Sequence, residues 1–208
     1  SNKDRRTTAI SQGSARIYEK IGIWKDLVKH SQPIYKIKVT EGIEVDGLTF
    51  NDDMTEEGVM GYIVENKFIK RFLLKKVLKS SLIKLYSGTL VKSLKNLKNK
   101  TLELKTANGT TTCNLLIGAD GRKSNTRKIG LFKYFYKNYN QNAYVFNILH
   151  KKPHKGMALE RFFSTGPLAI LPMKTSKGNQ SSVVFTVDAD KTFENRSSFV
   201  RFFKAKYK

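Results

Sequence analysis

Three consecutive apolar residues, Leu115-Leu116-Ile117, run without a break into Gly118-Ala119-Asp120-Gly121, and a polar stretch to Arg127 follows. No other segment restricts the fold as tightly. A short continuous apolar run of this kind reads as a strand buried on both faces, which needs a sheet around it. The small residues behind it demand a tight turn, and Ser124 is placed to cap a helix opening after the turn. Bare backbone at such a bend lets amides approach a phosphate closely. The same unit reads equally well as a purely structural turn. Arg127, one turn into the helix, can reach a phosphate or lock the loop.

The flanking sequence supplies both helices and strands. Ile17, Ile21, Trp24, Leu27 and Val28 recur at helical spacing behind Ser11, and Gly22 divides that stretch, so one helix or two short ones fit. Tyr62-Ile63-Val64 reads as a short strand, and residues 67–79 as an amphipathic helix. From 83 to 117 the chain reads as strands, with Asn108-Gly109 as the clearest hairpin signal. Beyond residue 130 four β segments, at Tyr144–Ile148, Leu159–Phe163, Leu168–Leu171 and Val183–Val187, predict an antiparallel sheet. Phe199, Phe202 and Phe203 then share one face of a helix. The fold class is α/β (α+β).

Charge narrows the function classes. The chain of 208 residues carries 39 Lys+Arg against 17 Asp+Glu, a net charge of +22. Only nine of the basic residues are Arg, and they are spread along the whole length. Specific nucleic-acid readers favour Arg grouped on one face, so no nucleic-acid partner is expected. Solvated lysines spread over the surface are the first reading of this charge, and a weak attraction to an anionic membrane surface is the second. One cysteine, Cys113, excludes a disulfide framework and is expected to be a packed, inert thiol. His150 and His154 have an i, i+4 offset, but Pro153 breaks any helix between them, so no metal site is expected. Nothing in the sequence is long and apolar enough to span a bilayer, and no signal peptide is expected. Glu160-Arg161 reads either as a cross-strand ion pair or as part of a pocket.

The string Gly118-Ala119-Asp120-Gly121-x-x-Ser124-x-x-Arg127 resembles the GADG-x-x-S-x-x-R motif of class A flavoprotein monooxygenases, the p-hydroxybenzoate hydroxylase superfamily. Other strings resemble the ubiquinone-biosynthesis hydroxylase branch. They are Asp4-x-Arg6-x-x-Ala9-Ile10-Ser11, Gly61-Tyr62-Ile63-Val64-Glu65-Asn66, Tyr139-x-Gln141-x-Ala143, Ala158-x-Glu160-Arg161-Phe162 and Gly166-Pro167-Leu168-Ala169-Ile170-Leu171-Pro172. They stand in unbroken order across residues 4–188.

The resemblance implies a partial glutathione-reductase-type FAD-binding domain over residues 1–130, its first βαβ unit missing. A mostly antiparallel β-sheet substrate domain over residues 131–208, truncated at its C-terminus, interleaves with it. It implies FAD as cofactor, NAD(P)H as co-substrate and a polyprenylated aromatic ring as substrate of the parent enzyme. Arg6, Asn66, Arg71, Asp120 and Gly121 would bind the cofactor: Arg6 and Asn66 by the flavin side, Arg71 one helical turn beyond, and Asp120 and Gly121 by the pyrophosphate. A cytoplasmic protein with peripheral contact at the inner face of the membrane, and a place in a ubiquinone-biosynthesis protein complex, are further expectations. No G-x-G-x-x-G precedes Asp4, and no G-D-A-A-H follows, so the chain is expected to be an internal fragment that binds FAD poorly alone. A non-catalytic remnant or interaction module that keeps the fold without flavin is the competing expectation.

Overall fold

The computed structural model describes residues 4–97, 100–176, 178–193 and 195–206. It forms two compact units, one from residues 1–79 with 138–208 and the other from residues 80–137.

The first unit opens with strand β1 (Thr7–Ile10), after which Ser11 caps helix α1 (Gln12–Lys20) by accepting from the Ser14 amide at 3.3 Å. The helical stretch breaks at Gly22 and resumes as α2 (Trp24–Leu27), with a single 3-10 turn at Val28–His30 leading into β2 (Ser31–Ile34). Strand β5 (Gly61–Glu65) lies between β1 and β2, antiparallel to both, and runs directly into helix α3 (Asn66–Lys79). Ile10, Ala15, Leu27 and Val64 are buried together, with Trp24, Tyr62, Phe68 and Phe72 packed around them. Trp24 meets Tyr62 edge-on at 4.8 Å, so it is a core residue. Gly61 permits the close crossing of β5 and β1: a Cβ there would sit 2.7 Å from the Ile10 carbonyl oxygen, at φ 151°.

The same unit holds a six-stranded sheet in the order β4-β3-β10-β11-β12-β9. Its strands are β3 (Lys36–Glu41), β4 (Gly47–Asn51), β9 (Gln141–Leu149), β10 (Met157–Phe163), β11 (Gly166–Pro172) and β12 (Gln180–Asp188). All four β segments expected after residue 130 are strands, and their mutual pairings are antiparallel. Among the described residues the one parallel pairing joins β10 to β3, so the sheet recruits two strands from early in the chain. Leu168, Val183, Phe185 and Val187 form a fully buried face. Helix α5 (Arg196–Lys206) covers that face with Phe199, Phe202 and Phe203. Ile34, Ile63 and Ala158 are buried together where the two sheets of this unit meet.

The second unit is a three-stranded antiparallel sheet, β6 (Val91–Asn96), β7 (Leu102–Thr106) and β8 (Gly109–Cys113), with the short helix α4 (Asn125–Ile129). The hairpin falls where Asn108-Gly109 signals it, with Thr106 opposite Gly109 and the tip at Ala107-Asn108. Three expectations fail here, the first being that residues 83–90, expected to begin the strands, carry none. Leu115-Leu116-Ile117 is not a strand, and Leu115 and Ile117 are 73% and 76% exposed. A strand buried on both faces needs neighbours to take its N–H and C=O groups, and none among the described residues pairs with this run. Cys113, at the end of an edge strand, is half-buried rather than packed.

Candidate functional site

The Asp4-x-Arg6 string and the Glu65-Asn66 string come together in the first unit. The Asn66 amide opens α3 by donating to the Arg6 carbonyl at 2.9 Å. The Thr8 hydroxyl donates to Asn66 Oδ1 at 2.6 Å. That leaves both N–H groups of the Asn66 side-chain amide without a partner among the described residues. Asp4 ties the corner: its carboxylate accepts from Arg6 Nε and Nη2, each at 2.9 Å, and from Lys70 Nζ at 2.9 Å. The side chain of Asp4 is 10% exposed and that of Arg6 65%. The Arg6 and Lys70 hydrogen bonds hold the Asp4 carboxyl well below the usual carboxylate range. The bidentate geometry fixes a guanidinium whose outer face stays free.

Arg6 also lines a cleft of about 1090 Å³ that runs along β9, an edge strand of the six-stranded sheet. Arg5 and Arg6 stand on one side; Tyr144, Phe146 and Ile148 form the floor; Phe193, Phe199 and Phe203 form the far wall. The rings are locked edge-to-face, with Phe146 5.0 Å from both Phe199 and Phe203. Asn147 Nδ2 donates to the Arg5 carbonyl at 3.4 Å, linking the floor to the Arg5-Arg6 side. The cleft therefore offers cationic donors on one side and an aromatic wall on the other.

Arg71 lies further along α3, exposed, close enough to His30 to help lower its pKa. Glu160 and Arg161 do not pair with each other. Arg161 donates to Thr40 Oγ1 at 3.1 Å and to the Glu44 carbonyl at 3.4 Å, and burial pushes the Glu160 carboxyl up. His154 is held by its own chain, Nδ1 accepting from the Gly156 amide and Nε2 donating to the Met173 carbonyl, each at 3.0 Å.

Asp120 and Gly121 belong to the second unit, where the bend folds onto itself. Asp120 accepts from the Ser124 hydroxyl and, at 2.9 Å, from the Thr126 amide, and these bonds hold its carboxyl well below the usual range. Ser124 in turn accepts from the Arg127 amide at 3.0 Å, so it is the helix cap that the sequence suggests. Arg127 locks the loop: it donates to the Arg122 carbonyl at 2.8 Å and stacks 4.4 Å over Tyr134, while its Nε is buried with no partner among the described residues. Gly121, at φ 77°, has nothing within 4 Å of where a Cβ would stand, so its backbone is bare on that side.

The sequence reading missed Asp4 and Lys70, which fix Arg6, and the aromatic wall contributed by α5. Asp4 carries a signal, two residues before Arg6 in the same string. Lys70 carries one only once α3 is known, because it stands one turn after Asn66.

Comparison with known proteins gives one consistent result. The chain matches the FAD binding domain family over residues 1–207. It is 32% identical over 187 residues to ubiquinone hydroxylase UbiL of Rhodospirillum rubrum, covering 90% of this chain and 43% of that protein. It is 31% identical over 183 residues to the mitochondrial ubiquinone biosynthesis monooxygenase COQ6 of Xenopus tropicalis, covering 83% of this chain and 39% of that protein. The solved structure of p-nitrophenol 4-monooxygenase PnpA from Pseudomonas putida superposes with a TM-score of 0.75 at 12% identity, over 100% of this chain and 53% of that one, a likeness of fold. The chain thus spans less than half the length of these two curated relatives.

Proposed function

The chain belongs to the FAD binding domain family, and we propose that it forms the central part of a FAD-dependent monooxygenase. In this reading the parent enzyme hydroxylates the aromatic ring of a polyprenylated ubiquinone precursor, using NAD(P)H and O2. The observation that carries it is the cleft in which the Asp4–Arg6 string, bonded to Asn66 through the Arg6 carbonyl, meets the aromatic face of β9 and α5.

The residues expected to hold the cofactor are chemically suited to it, taken one by one. Asn66 holds two side-chain N–H groups with no partner among the described residues, suited to the carbonyl and ring-nitrogen acceptors of a flavin. Arg6, oriented by Asp4, supplies a fixed positive charge. Arg71 adds cationic charge along α3. Asp120 acts through the shape of its turn, and Gly121 through a backbone that can lie close to a pyrophosphate. When bound, the flavin supplies the redox and oxygen chemistry. The chain's own work is to bind, orient and exclude water: the Tyr144, Phe146 and Phe199 surfaces offer a ring substrate an apolar face and leave water little to bond to.

A polyprenyl tail resides in the bilayer, so the enzyme must visit the membrane surface. Among the described residues no helix is long and apolar enough to cross a membrane. The net charge of +22 favours peripheral contact with an anionic leaflet. Membership of a ubiquinone-biosynthesis complex is part of the same proposal.

The test is a chimera in which this chain replaces the matching segment of the Rhodospirillum rubrum hydroxylase, expressed in cells that lack that enzyme. Restored ring hydroxylation supports the reading. A folded chimera that makes no hydroxylated product, while the parent enzyme does, favours a non-catalytic module instead.

A further inference from the structure

A second pocket of the first unit, about 310 Å³, opens where the turn before β2 meets α3 and the segment after β11. Its polar lining is dominated by donors. Lys29 and His30 come from the 3-10 turn, and Lys174 and Thr175 from the loop between β11 and β12. His30 lies flat on Phe68, ring centroids 4.0 Å apart, so the imidazole is held in place at the pocket wall. Burial lowers its pKa first, and the charges of Lys174 and Arg71 lower it further.

Most of these donors are unused. Neither ring nitrogen of His30 has a hydrogen-bond partner among the described residues, nor does the Lys174 ammonium or the Arg71 guanidinium. The Thr175 hydroxyl oxygen is buried without one. One carboxylate, Glu65, also lines the pocket and is engaged by Lys67 at 2.8 Å, and Asp26 accepts from Lys29 at 3.3 Å. A buried hydroxyl with no partner is costly, and the Lys174 charge beside Lys29 and His30 is left without an acceptor among the described residues. An anion with several acceptor atoms would relieve both. Donors that approach from separate segments suit a tetrahedral oxyanion better than a planar carboxylate.

We propose that this pocket binds a phosphate group, with Thr175 and His30 as hydrogen-bond donors and Lys174 and Lys29 as the compensating charge. The phosphate is carried either by a small soluble molecule or by a lipid headgroup. The inference goes beyond the flavin reading and does not rest on it, because the pocket and its donors lie within this chain.

The experiment follows the His30 ring signals by NMR in the 208-residue chain while inorganic pyrophosphate is added. Saturable shifts of His30 with a raised His30 pKa are expected. Lys174→Ala is expected to weaken binding at least tenfold, whereas Lys95→Ala, in the second unit, changes it less than twofold. A His30 signal that never moves overturns the proposal. Equal losses in the two lysine variants also overturn it, since they mark an adventitious ion only, drawn by net charge. Vesicles of phosphatidylglycerol set against phosphatidylcholine assign the source: a shift of His30 on the anionic vesicles identifies a lipid headgroup, and a response to soluble pyrophosphate alone identifies a free phosphate ligand.

Discussion

Replacing Phe185 with Ala removes the ring on which α5 rests, and the structure gives the size of the effect. Phe185 is 0% exposed, and its ring lies 6.4, 6.0 and 5.6 Å from those of Phe199, Phe202 and Phe203. Truncating a fully buried Phe costs about 3–5 kcal/mol, the lost transfer energy plus the cavity left behind. A domain has only about 5–15 kcal/mol to lose, so the unit would sit near its folding threshold. Phe162, 50% exposed on the same sheet, is the internal control, and Phe162→Ala should cost under about 1 kcal/mol. Urea unfolding monitored through Trp24 reads the result. Trp24 is the only tryptophan, and it lies in the other core cluster of the same unit. If the sheet and the β1-β5-β2 layer unfold together, the Trp24 midpoint falls for Phe185→Ala with an unchanged slope. A loss below about 1 kcal/mol, or a Trp24 transition that does not move, refutes the claim that the α5 packing and the Arg6–Asn66 corner belong to one cooperative body.

Three further outcomes follow from local geometry. Gly61→Ala should destabilise by about 2–4 kcal/mol, from strained φ and the clash with the Ile10 carbonyl, whereas Gly121→Ala, with open space around it, should cost only about 1–2 kcal/mol of backbone strain; thermal unfolding separates them. Ser124→Ala should cost about 0.5–2 kcal/mol, because it removes the α4 cap and a partner of Asp120, and hydrogen exchange at Thr126 and Arg127 should rise. The Asp4 carboxyl is depressed in the folded state, so its stabilising contribution is complete above the unfolded value of about 3.9 and is lost only as pH falls through the folded one; carboxyl NMR should find Asp4 still ionised when exposed aspartates are half protonated, and a midpoint at or above 3.9 contradicts the Arg6–Lys70 clamp.

Local signals were legible wherever one element's own pattern decides the structure. Ser11 as a cap, the passage from Tyr62-Ile63-Val64 into a helix, the hairpin at Asn108-Gly109 and the Phe face of α5 all follow from short-range chemistry. Elements that depend on distant partners were not legible. The parallel pairing of β3 with β10 joins residues about 120 positions apart, and nothing in Ile37 or Val39 names that partner. Leu115-Leu116-Ile117 has the composition of a buried strand, but strand formation depends on a neighbouring backbone, which the described residues do not provide. At the candidate site the Arg6–Asn66 pairing was legible only through the resemblance. The Asp4–Lys70 bond that orients it appears only once β1 and α3 are set side by side.

The most direct test of the flavin reading is the affinity of the chimera for FAD, measured by quenching of flavin fluorescence with and without Asn66→Ala. Bound FAD in the unmodified chimera, with at least a tenfold weaker dissociation constant in the variant and an unchanged circular dichroism spectrum, is the predicted result. Equal FAD affinity in both proteins would contradict it, since the two free N–H groups of Asn66 would then have no part in holding the cofactor.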